Sequence, residues 1–245
     1  MARFKVVVEY DGNGYYGWQE QEELPTIQGV IQDAIAKFCG EKVTVHGAGR
    51  TDAGVHAIAQ VAHFDLEKET NPGEVISALN HFLQYSKVAI LSAEEVDDSF
   101  HARFSAKDRS YIYTIINRRG HLTYNKGYAW HVVEELDVNL MNEGAKYLIG
   151  HHDFESFRAA NCQAKSGRRS IDKLQVSRNG EKIEVSITAK SFLHNQVRII
   201  VGTLRKVGNG SWLPNKVEEI ISVRDRRMAG QTAPACGLYL SNVSY

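Results

Sequence analysis

The residues of this 245-residue chain best suited to chemistry lie in one short stretch, GAGRTDAGVHA, Gly47 to Ala57. Gly47, Gly49 and Gly54 surround a charged pair, Arg50 and Asp52, separated by one residue. Alternate residues of an extended segment point the same way, so Arg50 can lie beside Asp52. A guanidinium there favours the carboxylate form and keeps Asp52 ionised even where water is sparse. An ionised carboxylate can serve as a nucleophile or a base. The glycines permit unusual backbone conformations and the close approach of a bulky ligand. The same residues also fit a tight turn with a purely structural ion pair. A phosphate loop fits poorly, because the Walker Lys-Ser/Thr is missing and the glycines are out of register with GxGxxG. Ten histidines raise the question of a metal. His46, His56 and His63 lie near the loop, and His151-His152-Asp153 follows an expected helix, but no recognised ligand spacing appears. Each reads as a surface or core histidine, and no metal is expected.

Two further segments concentrate functional side chains. In FHARFSAKDRSYIYTIIN, Phe100 to Asn117, Tyr111 and Tyr113 share one face of a strand, flanked by Arg103 and Arg109. Such rings can stack a base while the arginines grip phosphates, or they can be core tyrosines of a half-buried strand. In FLHNQVRIIVGTLRKVG, Phe192 to Gly208, Val197, Ile200, Val201, Leu204 and Val207 form a buried stripe. Arg198, Gly202 and Arg205 form a second, basic stripe that borders an anionic ligand or faces water. Arg158, Arg168 and Arg169 add local positive charge. Local clustering matters because Lys+Arg and Asp+Glu number 29 each, giving zero net charge. A surface for a polyanion must therefore arise by segregating basic groups into one cleft.

The elements that position these residues follow from periodicity. Phe4 to Tyr10 reads as a strand ending at Asp11-Gly12, followed by the loop GNGYYGWQ. Ile27, Val30, Ile31, Ala34, Ile35 and Phe38 mark a helix between a Thr26 cap and Gly40. Strands over Lys42 to His46 and Gln60 to Asp65 flank the Asp52 loop. A helix over Pro72 to Leu83 and a strand over Lys87 to Val96 complete a β-α-β-β-α-β order, the ferredoxin-like arrangement. The second half repeats it loosely: a strand over Arg109 to Asn117, a helix over Asn139 to Ile149, and a hairpin over Lys173 to Thr188 around Asn179-Gly180. Helices over His194 to Val207 and Pro214 to Val223 and a strand over Gly237 to Val243 finish the chain. The class is α+β, in two halves spanning 1–104 and 105–245.

Composition sets the outer limits. A hydrophobic fraction of 43% with 24% charged residues is that of a globular protein and excludes disorder as the main state. Three cysteines without a CxxC pair disfavour a disulfide framework. The opening MARFKVVVEYDG lacks a signal-peptide core, and no segment approaches the roughly 20 apolar residues that span a bilayer. A soluble, cytoplasmic protein without a membrane role is expected.

GRTDAGVHA, preceded by EYDG…YYGWQ and followed by FHARFSA…YIY, FLxxxVRxxVG and a terminal TAP…GLYL, resembles the tRNA pseudouridine synthase A family (tRNA-uridine isomerase I) from Glu9 to Leu240. The resemblance implies the pseudouridine synthase fold, two ferredoxin-like halves around a central catalytic cleft. It also implies a homodimer, no cofactor, and tRNA as the partner, with uridines 38 to 40 of the anticodon arm as targets. By the same resemblance Asp52 is the nucleophile, Arg50 its partner, Tyr111 the residue stacking on the target base, and Arg198 a second arginine near the aspartate. Arg103, Arg109, Arg158, Arg168, Arg169 and Arg205 are candidates for phosphate contacts. The chain departs from the family pattern at Gln84, where proline is usual, and at Gln196, often methionine. A non-catalytic RNA-binding protein of two ferredoxin-like sheets is the alternative. It matches no RNP-type strand and leaves Asp52 without a purpose beside a polyanion. A metal-dependent hydrolase is a third reading, and it would lose activity to a chelator.

Overall fold

The structure, a computed structural model, describes residues 1–160 and 162–245. It divides into two compact units, Met1–Lys107 with Tyr239–Tyr245, and Asp108–Leu238. The expected halves meet after Phe104, whereas the units part after Lys107 and the last seven residues, Tyr239–Tyr245, return to the first unit.

In the first unit β1 (Ala2–Tyr10) lies between β3 (His56–Leu66) and β4 (Val88–Val96), antiparallel to both. The short β2 (His46–Gly47) extends β3 on its other side. There too Tyr239 and Leu240 of β10 (Leu238–Ser244) run parallel to His56 and Ala57. The order 4-1-3-2 is what the β-α-β-β-α-β succession produces when each helix carries the chain across one intervening strand. Phe4, Val6, Val8 and Tyr10 alternate inward along β1 and are all buried. Helix α1 (Ile27–Cys39) buries Ile27, Ile31 and Ile35, and α2 (Pro72–Leu83) buries Val75, Leu79 and Leu83.

Both helices begin and end as their caps dictate. Thr26 accepts a hydrogen bond from the Gly29 amide, and Asn71 accepts one from Glu74, with Pro72 opening α2. Gly40 closes α1 in the left-handed region at φ 78°. The strand expected over Lys42 to His46 shrinks to His46–Gly47. Side chains of α1 take the backbone groups a ladder would have used: Gln28 Nε2 donates to the Val45 carbonyl (3.0 Å) and Val45 N donates to Gln32 Oε1 (3.0 Å).

The second unit has β5 (Asp108–Asn117), β9 (Lys182–Ala189), β8 (Arg168–Asn179) and β7 (Gly150–Asp153) side by side, all antiparallel. β6 (Trp130–Val132) runs parallel to the end of β5. Helices α3 (Val138–Lys146), α4 (Gln196–Gly208) and α5 (Lys216–Val223) accompany this sheet. In chain order β5, α3, β8, β9 and α4 repeat the first unit's theme. With three and four residues, β6 and β7 carry too little alternation to show in the sequence. The β8–β9 turn sits one residue later than the Asn-Gly pair suggests. Asn179 pairs with Lys182, so Gly180 and Glu181 form the turn and only Gly180 takes positive φ (59°), as a II′ turn requires.

Candidate active site

Asp52 stands on the loop between β2 and β3, and the backbone on either side of it is fixed by the first unit's core. Ala48 N donates to the Val61 carbonyl (2.7 Å), and the buried Gln60 amide donates to the Gly49 carbonyl (2.8 Å). Thr51 points inward, its hydroxyl 2.8 Å from that of Tyr10, and Trp18 N donates to the Thr51 carbonyl (3.1 Å). Val55 N then closes a turn onto the Asp52 carbonyl (3.1 Å), with Gly54 at φ 76°. Thr51 is buried, Asp52 half-buried and Arg50 exposed. This is the alternation of an extended segment, with the threonine on the core side. Burial holds the Tyr10 hydroxyl well above its ordinary pKa range, so it remains a neutral hydrogen-bonding group beneath the loop.

The loop after β1 serves as the floor of this arrangement, a role its sequence did not reveal. A side-chain carbon at Gly12 would lie 2.2 Å from the Val55 carbonyl oxygen, and one at Gly17 2.6 Å from that of Thr51. Gly17 also adopts φ 91°. Only glycine at both positions lets the two loops touch backbone to backbone. His56 is a core histidine, one of the two readings open to it in the sequence. Its Nδ1 accepts the Gly12 amide (3.0 Å) and its ring stacks on Tyr239 at 4.7 Å. Arg50 forms no ion pair with Asp52, and among the described residues it makes none at all. The Arg103 guanidinium lies 5.6 Å from the Phe104 ring centroid, on an exposed stretch of the same unit.

Histidines support the strand that leads into the loop. The His46 ring of β2 stacks on His63 of β3 at 4.9 Å, and His101 meets His63 edge-on at 4.7 Å. His63 Nδ1 accepts the Ala102 amide (3.2 Å), so the neutral ring carries its proton on Nε2. Burial first, then His101, His46 and Arg3, push the His63 pKa down to about 4, against a smaller opposing pull from Asp65. His101 shifts the same way, chiefly through burial and His46. Between about 4 and 6.5 the unfolded chain binds the proton that the folded ring refuses. The stabilisation is therefore complete above pH 6.5 and lost as pH falls through this window, up to about 3 kcal/mol from His63. Urea midpoints measured from pH 7.5 to 4.5 should fall accordingly. His63→Asn, whose amide oxygen can accept the Ala102 amide in place of Nδ1, should flatten that part of the curve. An unaltered slope would refute the assignment.

Within the second unit, Arg109, Tyr111 and Tyr113 share the inner face of β5. Tyr111 is 8% exposed, and the Phe192 ring meets it edge-on at 5.3 Å. Tyr113 is core: its hydroxyl donates to the Pro234 carbonyl (2.8 Å), and Gly237 crosses its ring so closely that a side-chain carbon there would come within 2.7 Å. Arg109 is buried and donates to the Lys190 carbonyl (2.8 Å). At the start of α4 the half-buried Arg198 donates to the Ala233 carbonyl (2.7 Å) and to Asn195 Oδ1 (2.8 Å).

The expected basic stripe of α4 is not a solvated face. Residues 230–233 pack against its Arg198 and Gly202 part, because Gly202 and Gly230 meet without side chains; a carbon added at Gly202 would be 1.8 Å from the Gln231 carbonyl oxygen. Arg205 is paired with Glu134 and lies over Trp130 (5.8 Å). The hydrogen bond from Arg205 holds the Glu134 carboxyl below its usual range. Arg158 is committed likewise, to both Glu155 carboxylate oxygens (3.1 Å each) and to the carbonyls of Cys162 (2.9 Å) and Ala164 (2.6 Å). Arg169 turns back onto the Ser166 and Arg168 carbonyls, and burial lowers its pKa. Arg168 is exposed. These local partners give Arg158, Arg169 and Arg205 structural work that no count of arginines in the sequence reveals.

His151 and His152 bond to Ser170 Oγ (3.0 Å) and the Ile149 carbonyl (2.9 Å). Among the described residues no three His, Cys, Asp or Glu side chains are grouped to hold a metal ion. None of the described helices is long and apolar enough to cross a membrane.

The sequence model of a family described as tRNA pseudouridine synthase matches residues 6–105 and 145–245, which include Asp52 and Arg198. Proteins named tRNA pseudouridine synthase A align with the whole chain. That of Paramagnetospirillum magneticum is 49% identical over 96% of its own length. Those of Parvibaculum lavamentivorans and Xanthobacter autotrophicus are 49% and 50% identical over 100% of theirs. A solved structure of a Cbf5-Nop10-Gar1 complex overlaps 82% of the chain and 54% of its own at 13% identity, with a TM-score of 0.32, too slight a likeness to bear on the fold. The end-to-end identity to these relatives, together with the family match in both parts of the chain, establishes that the chain belongs to the tRNA pseudouridine synthase family.

Proposed function

We propose that this chain is an isomerase that converts uridines 38 to 40 in the anticodon arm of tRNA to pseudouridine, with Asp52 as the reacting carboxylate. The observation that carries the reading is the mounting of Asp52: a half-buried carboxylate on a turn, with core hydrogen bonds on both sides, in a chain of this family. In the reaction the C1′–N1 bond breaks, the base turns, and a C1′–C5 bond forms. The proton at C5 leaves and N1 gains one, so substrate and product are isomers with no change of oxidation state. One positioned carboxylate meets the need for a nucleophile or base.

The target base must leave its stack to meet that carboxylate, which calls for a platform and for grips on the backbone. In this reading Tyr111 is the platform, Arg50 and Arg198 serve the reacting nucleotide, and exposed Arg103 and Arg168 hold phosphates. Two copies of the chain act together on tRNA in the cytoplasm. Incubating the purified chain with unmodified tRNA and mapping pseudouridine tests the proposal; no pseudouridine at these positions sinks it. Tyr111→Leu should weaken tRNA binding by roughly 1–3 kcal/mol if stacking dominates, and Tyr111→Phe should keep it. A Phe variant that binds but does not turn over assigns the hydroxyl to proton transfer. Wild-type rates for both variants would exclude Tyr111 from the site.

A further inference from the structure

The connection from β5 to β6, residues 118–129, has no role in the site described above. It lies between the two stretches that match the family's sequence model. It leaves β5 at Asn117, about 20 Å along the strand from Tyr111 at roughly 3.4 Å per position, and rejoins the sheet at Trp130, opposite Ile115. From Arg118 to Tyr128 it contains Arg118, Arg119, His121 and Lys126 but no Asp or Glu, in a chain of zero net charge.

The loop is braced from within. Arg118 Nε donates to the Gly120 carbonyl (3.1 Å), Nη2 to that of His121 (3.1 Å), and Nη1 to Glu181 (3.0 Å). His131 Nε2 lies 2.9 Å from the Arg118 carbonyl oxygen. Beyond the tip, Lys126 N donates to the Thr123 carbonyl and Tyr128 N to that of Asn125, each at 3.0 Å. This brace holds up Tyr124, which is 81% exposed. Arg119, His121 and Lys126 are exposed on the same loop, and among the described residues none of them is in an ion pair.

An exposed tyrosine alone is ordinary. A tyrosine on a braced, acid-free loop with unpaired basic groups is the arrangement that stacks an unpaired base and grips adjoining phosphates. Because the brace restrains the loop, stacking on it costs less conformational entropy than stacking on an unbraced one. We propose that the loop Arg119–Tyr128 is a second RNA-contact site, where Tyr124 stacks on a tRNA nucleotide other than the target while Arg119 and Lys126 hold flanking phosphates. This rests on the reading of tRNA as substrate. In this proposal the loop binds and positions RNA and takes no part in bond-making.

The test uses the full chain, titrated with labelled unmodified tRNA and separately assayed for pseudouridine. Tyr124→Ala should weaken binding and raise KM roughly 5- to 100-fold, with kcat at saturating tRNA within about twofold of wild type. Tyr124→Phe keeps the ring and should bind within about twofold of wild type. Replacing Arg119 and Lys126 together by Ala should lower the slope of log affinity against log salt by about 2. Binding by Tyr124→Ala equal to wild type overturns the proposal. So does a change in its sedimenting mass, which would assign the loop to a second copy of the chain. A wild-type chain that binds tRNA but makes no pseudouridine overturns the catalytic reading instead, and the Tyr124 binding comparison still decides the role of the loop.

Discussion

Asp52→Ala is expected to lower pseudouridine formation by at least about 10⁴-fold while thermal stability and tRNA affinity stay close to wild type. The side chain is half-buried at a turn where backbone groups, Thr51, Tyr10 and Gln60 make hydrogen bonds that remain when the carboxylate is removed. Asp52→Asn keeps the shape and removes only the charge, and should fail equally if the carboxylate acts as nucleophile or base. Single-turnover assays at saturating tRNA separate the loss of chemistry from any loss of binding. Substantial product from either variant would remove Asp52 from the centre of the mechanism.

Gly12→Ala should produce the next largest loss, at a residue with no chemistry of its own. The added carbon would sit 2.2 Å from the Val55 carbonyl oxygen, a backbone atom that cannot rotate away. Relief requires a shift of about 1 Å in the turn that carries Asp52, and a misplacement of that size can cost about 10²-fold in rate. The loss should appear in kcat with little change in tRNA affinity. Gly14→Ala is the control. Its carbon would meet nothing within 4 Å, and the cost is confined to the strain of φ 92°, about 1–2 kcal/mol of stability. Comparable rates for the two variants would show that the contact between the loops does not position the aspartate.

The sequence by itself determined what depends on near neighbours. The phase of α1 and α2 follows from apolar spacing, and their ends follow from Thr26, Gly40, Asn71 and Pro72, all of which act within a few residues of themselves. The β-α-β-β-α-β order, the turn at Gly180 to within one residue, and the singular character of Gly47 to Ala57 were legible for the same reason. So was the family, because its motifs stand in order along the chain.

Tertiary structure decided everything that needs a distant partner. Alternation put Arg50 and Asp52 on one side of their segment, but no pairing of the two follows, because the loop is anchored through Thr51 to Tyr10, forty-one positions away. Gln28 and Gln32 shorten β2 by bonding to Val45, and nothing near Val45 announces this. Arg205 reads as a free cation until Glu134, seventy-one positions away, is found against it. Gly12, Gly17 and Gly202 look like ordinary loop or helix glycines until another backbone arrives where a side chain would be. The seven residues at the chain's end return to the first unit because His56 and Ala57 offer β3's edge to Tyr239 and Leu240. Local propensity is written over a few neighbouring residues; charge pairing, close backbone contact and strand-edge pairing depend on which distant segments the fold brings together.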